Sequence, residues 1–126
     1  MGTRSYDLVG LLNDRDTDAA LGKETYRSLV NYFANKWSYS DDFYTEYDRV
    51  LLQRDLKVAG RFAKLVSLRG LYNYGTWIPG TLRRIGRTLE RVLRDQKSSA
   101  YTSLFEVLTK HCPEVSAGFN TPISFR

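Results

Sequence analysis

The chain has 126 residues, of which 42% are hydrophobic and 26% charged. This suits one folded domain with a modest core and excludes a disordered chain. No apolar run approaches the ~20 residues that span a bilayer. The net charge of +5 permits anionic partners and bears on association rather than fold.

Nearly every segment repeats at helical period and none alternates for long. Tyr6, Leu8, Val9, Leu11 and Leu12 predict a short apolar helix, with Asp7 in the first turn where a carboxylate favours the helix dipole. Tyr26, Leu29, Val30, Phe33 and Trp37 form one stripe, predicting a second helix over Lys23 to Trp37. Ser38 to Asp42 is a polar break, with Ser40 or Asp41 as N-cap. A long third helix should then run to Leu68, stopped by Gly70. LYNYGTWIPG is a turn-rich connector, and Pro79 suits the first turn of a fourth helix with Leu82, Ile85, Leu89, Val92 and Leu93 on one stripe. QKSSA breaks the pattern. A last helix carries Tyr101, Leu104, Phe105 and Leu108, with Pro113 just beyond its end. The expected fold is all-α: about five helices in an irregular bundle over residues 1–112, then an irregular tail over 113–126.

The chain has nine Tyr, six Phe and two Trp, which suit a helical core whose rim needs polar handles. On the long helix, Glu46, Arg49, Gln53, Arg54, Lys57, Arg61 and Lys64 share a polar arc opposite a wide apolar one. Gly60 sits at the arc's edge, where a neighbouring backbone could approach. Asp48 and Asp55, two turns apart, fall inside the apolar arc. A buried carboxylate needs partners or it neutralises. The commoner solution is a tyrosine hydroxyl or an arginine from a neighbouring helix; the alternative is a substrate-pocket carboxylate.

Several motifs fail. NDRDTDAALGKE begins like a calcium loop with Asp14, Asp16 and Asp18, but Ala19 and Thr25 stand where Gly and Glu are needed and Glu24 is one residue off. It reads as a solvated acidic turn. His111 and Cys112 are each the only residue of their type, so they make no zinc site and no catalytic pair; they read as a helix end. No phosphate-binding glycine loop occurs. Arg83, Arg84, Arg87, Arg91 and Arg94 could track phosphates. Glu90 and Asp95 interrupt them and no aromatic residue interleaves, so the run reads as a solvated face rather than a nucleic-acid surface. With Cys112 alone, no internal disulfide can form. The first residues also lack a signal-peptide pattern, so the expected compartment is the cytoplasm.

The segment LLQRDLKVAGRFAKL resembles L-Q-R-x-L-K-x-x-G-x-F-A-[RK]-L of the aminoglycoside phosphotransferase (choline kinase-like) family. Within that family it resembles the bacterial kinases of N-acetylmuramate and N-acetylglucosamine. Leu52, Gln53, Arg54, Leu56, Lys57, Gly60, Phe62, Ala63, Lys64 and Leu65 match; Asp55 stands where that branch commonly has histidine. The opening GTRSYDLVGLLND is similar to the family's G-P-x-x-Y-D-L-x-S-L-L-x-D at Gly2, Tyr6, Asp7, Leu8, Leu11, Leu12 and Asp14, and departs at Thr3 and Gly10. IPGTLRRIGRTLERVL is weakly similar to the helix that follows. The resemblance covers roughly residues 2–95 and implies the helical C-terminal subdomain of a kinase-like fold.

The resemblance implies an ATP-dependent kinase of a small hydroxyl-bearing substrate, with Mg-ATP as cofactor. This chain lacks the family's ATP-binding lysine, its catalytic loop H-x-D-x-x-x-x-N and its metal-binding D-F-[DQ]. The expectation is therefore a fragment inactive alone, with no catalytic or metal-binding residue of its own, whose partners are the missing N-terminal lobe and catalytic core. Gln53, Arg54, Asp55 and Lys57 are the substrate-pocket candidates. Asp7 would brace the catalytic segment. Met1 would be an internal residue of a longer reading frame, and self-association through an exposed apolar surface is expected. The alternative is a free-standing helical binding module that uses the arginine face or exposed aromatics.

Overall fold

The computed structural model describes residues 4–15, 17–37, 42–95 and 98–125, and their regular structure is entirely helical. In chain order the helices are α1 Arg4–Asn13, α2 Thr17–Leu21, α3 Lys23–Trp37, α4 Asp42–Arg69, a 3-10 helix Tyr72–Trp77, α5 Ile78–Asp95, α6 Ser99–His111 and α7 Pro113–Phe119. The five helices expected from periodicity are α1, α3, α4, α5 and α6. Two short ones, α2 and α7, are added. Each is too short to show a period, so neither leaves a legible stripe. The candidate caps Ser40 and Asp41, the break residues Gln96 and Lys97, Asp16 of the acidic turn and Gly2 and Thr3 of the opening motif lie outside the described residues.

Helix ends follow local chemistry. Gly70 closes α4 with a φ of +66°, a conformation glycine adopts without Cβ strain. Pro79 lies in the first turn of α5. His111 ends α6, and the Cys112 amide caps it by donating to the Leu108 carbonyl at 2.7 Å.

Two clusters divide the core. The first joins Leu8, Val9 and Leu12 of α1 with Tyr26 and Val30 of α3 and Phe43, Tyr47 and Leu51 of α4. Its aromatic hydroxyls are paired with each other: Tyr26 and Tyr47 lie 2.6 Å apart, and Asn13 accepts from Tyr26 at 2.8 Å and donates to Tyr47 at 3.0 Å. Burial pushes the Tyr26 phenol up to about 12, so it stays neutral and able to donate. The second cluster joins Leu52 of α4, Ile85 and Leu89 of α5 and Val115 of α7, with Leu104, Phe105 and Leu108 of α6 against its edge.

The segment expected as an irregular tail needs correction. Pro113–Phe119 is helical, and Phe125 is buried in the first cluster among Tyr26, Tyr44 and Tyr47. The Phe125 carbonyl accepts from Asn31 at 2.8 Å, which ties the segment after α7 to α3. A lone apolar residue after a Gly- and Pro-containing stretch has no periodicity to announce that burial.

α5 lies at the centre, and its neighbours decide its pattern. One face presents Ile85 and Leu89 to the apolar cluster. A second stripe, Thr81, Arg84, Thr88 and Arg91, is also buried. A third position, Gly86, meets α7 backbone to backbone: a Cβ there would overlap the Val115 carbonyl and come within 2.7 Å of the Phe119 amide nitrogen. Gly118 faces back onto the Arg83 main chain in the same way. Gly60, expected near a neighbouring backbone, instead faces open space.

Candidate functional site

The arginine run on α5 is not the solvated face its sequence suggests. Arg84 and Arg91 are only 3% and 4% exposed. Arg84 donates from Nε and Nη2 to the two oxygens of Asp55 at 2.7 and 2.9 Å, a bidentate pair. Arg91 donates from Nε to Asp48 at 2.9 Å, donates to the Ile123 carbonyl at 3.1 Å, and lies over the Phe125 ring. Of the two readings open for Asp48 and Asp55, the arginine partner is the one observed. The aspartates are seven residues apart on α4 and the arginines seven apart on α5. Low number on one helix pairs with high number on the other, so α4 and α5 run antiparallel. The matched spacing is the sequence signal that would have found these pairs.

The acidic turn also needs correction. Asp18 on α2 is largely buried and accepts from Arg84 at 3.1 Å and Arg87 at 3.2 Å. Arg15 holds a φ of +53°, unusual for a residue with a Cβ. That turn aims its carbonyl at Arg84, 3.1 Å away, and sets its guanidinium over the Trp77 ring. The loop is therefore a salt-bridged clamp on α5.

The four substrate-pocket candidates do not converge. Asp55 points inward at Arg84. Arg54 is half-buried beside α1, 3.8 Å from Asp14 and 3.7 Å from Asp55. Gln53 and Lys57 are one turn apart on the exposed side of α4. Asp7 is exposed and has no hydrogen-bond or ion-pair partner among the described residues. It shares the outer side of α1 with Tyr6, 59% exposed, and Leu11, 66% exposed, while Leu8 and Leu12 face the core. A Cβ added at Gly10 on this side would meet nothing.

A cavity of about 220 Å³ opens beside the Asp48–Arg91 pair and is lined in part by Tyr44 and Phe125. Arg94, Asp95 and Ser124 complete its wall. Two arginines and two aspartates line it, so their formal charges cancel. Burial pushes the Asp48 carboxyl up to about 6; Arg91 opposes this, and nearby Asp95 adds to it. A carboxyl raised in the folded state favours folding most below its unfolded value of 3.8, and that contribution is lost as pH rises through about 6. Urea unfolding should therefore show the native chain losing stability relative to Asp48→Asn between about pH 4 and pH 7. A constant difference across that range would refute the assignment.

Among the described residues no three His, Cys, Asp or Glu side chains gather as metal ligands. No helix among them is long and apolar enough to cross a membrane. No protein-family model, curated protein or solved structure matches the chain.

Proposed function

We propose that the chain is the helical C-terminal part of an ATP-dependent phosphotransferase acting on a small hydroxyl-bearing substrate, an amino sugar being the leading class. The observation that carries this reading is the outer side of α1. The opening motif divides there into an inward half, Leu8 and Leu12, and an outward half, Tyr6, Asp7 and Leu11. Exposed apolar residues around an unpartnered carboxylate are what a helix shows when a further segment packs on it. In this reading that segment is the catalytic loop, and Asp7 accepts hydrogen bonds from its backbone. Phosphoryl transfer is mostly positioning and electrostatics. The contribution of this chain is a rigid wall: α4 and α5, locked by two buried ion pairs, hold α1 in place behind the loop.

The arginine-face version of a binding module is disfavoured, because Arg84 and Arg91 are consumed by Asp55 and Asp48. The test of the kinase reading is an assay with Mg-ATP and N-acetylmuramate or N-acetylglucosamine. It is run on this chain and on the reading frame extended upstream. The chain alone should be inactive. The extended frame should carry H-x-D-x-x-x-x-N and turn over, and Asp7→Ala in it should lower kcat more than it changes KM. Activity in the chain alone, or a stop codon directly upstream with no catalytic motif, would overturn the proposal.

A further inference from the structure

We propose a second, independent surface: the distal half of α4 and the turn after it dock on an anionic phospholipid bilayer. Between Asp55 and Glu90 the sequence has no acidic residue and seven basic ones: Lys57, Arg61, Lys64, Arg69, Arg83, Arg84 and Arg87. The fold sorts them. Arg84 and Arg87 turn inward to Asp55 and Asp18. Lys57, Arg61, Lys64, Arg69 and Arg83 stay exposed and have no ion-pair partner among the described residues.

Three of the five form a line. Lys57, Arg61 and Lys64 fall on one side of α4, spread over about 10 Å of helix at 1.5 Å per residue. Leu68 continues that line by one turn and is 73% exposed. The Gly70 turn follows, and then Leu71, 42% exposed, and Tyr72, 76% exposed. The cationic line therefore ends in an apolar tip. The 3-10 helix that begins at Tyr72 is anchored on α4: Phe62, Tyr74 and Trp77 pack ring against ring, with centroids 5.7 to 6.0 Å apart.

The partner follows from having both features on one edge. A negative surface alone would account for Lys57, Arg61 and Lys64. It would leave Leu68, Leu71 and Tyr72 in water. An anionic bilayer offers headgroup phosphates to the cations and acyl boundary to the leucines, and a tyrosine suits the interface between them. A nucleic acid could stack on Tyr72 but offers the two leucines little. The contact is peripheral: among the described residues no helix is long and apolar enough to cross. It uses residues on a different helix from the α1 face, so it stands or falls apart from the kinase reading.

The experiment is co-sedimentation with vesicles of phosphatidylcholine, alone or with about one-third phosphatidylglycerol. The chain should bind the mixed vesicles and not the neutral ones, and should be released by high salt. Each cation near an anionic leaflet contributes roughly fivefold, so Lys57→Glu, Arg61→Glu and Lys64→Glu together should weaken binding by at least about a hundredfold. Leu68→Ser with Tyr72→Ser should weaken it by about tenfold. All five positions are exposed, and an unchanged thermal melt verifies that the variants fold. Equal binding to neutral vesicles, or none at low salt, would overturn the proposal. So would tip variants that bind like the native chain. Salt-sensitive retention of mixed-sequence nucleic acid on filters, without vesicle binding, would assign the surface to nucleic acid instead.

Discussion

Arg84→Met is expected to cost about 3–5 kcal/mol of unfolding free energy, the usual penalty for stranding one half of a buried ion pair. Asp55 is fully buried, and without Arg84 its nearest cation is Arg54 at 3.7 Å. Asp18 would lose one of its two arginines as well. Burial already holds the Asp55 carboxyl above its ordinary value, so in the variant it should bind a proton rather than stay charged. For a domain of this size that loss is a large share of total stability. The double variant Asp55→Leu with Arg84→Met should recover most of it, because an apolar pair of similar volume carries no desolvation penalty. Urea unfolding of the single and double variants measures the difference. Equal losses would mean that the cost of Arg84→Met does not come from stranding Asp55.

Gly118→Ala is expected to cost at least about 3 kcal/mol, the upper end of ordinary overpacking. The atoms in the way are the Arg83 carbonyl and main chain, not a side chain that could swing aside. Either α7 moves off α5 or the helix distorts, and Val115, fully buried between them, loses its packing. Gly60→Ala supplies the contrast. It lies within α4 with nothing near its Cβ, so alanine there should raise stability by about 0.5–1 kcal/mol through helix propensity alone. Thermal or urea unfolding of both variants gives the comparison. Similar small effects at the two glycines would refute the close crossing of α5 and α7.

The helices with a long apolar stripe were legible. α3 begins and ends where its pattern does, and α4 stops at Gly70, because a 3.6-residue repeat and a left-handed glycine are local signals. α2 and α7 were not, being held by contacts rather than by pattern. Asp18 pins α2 to α5, and Gly118 seats α7 on it. The candidate site divides in the same way. Asp48 and Asp55 stood out as carboxylates on an apolar arc, so the need for partners could be read. Arg84 and Arg91 read as solvated from sequence, because an arginine looks the same there whether water or a carboxylate surrounds it.

Composition and periodicity by themselves determine an all-helical chain, the inward sides of α1, α3 and α4, and the excess of positive charge. These are short-range properties that a helix wheel expresses. Only the tertiary structure decides which charges cancel. Packing α5 against α4 takes Arg84 and Arg91 out of solvent, and packing α2 on α5 adds Arg87 to the paired set. The cations left along α4 become a coherent surface, and Asp7 stays bare on α1. The physical reason is that a charge in water is nearly indifferent to its neighbours, whereas a buried one must find its opposite. Which charges are buried depends on helices far apart in the chain.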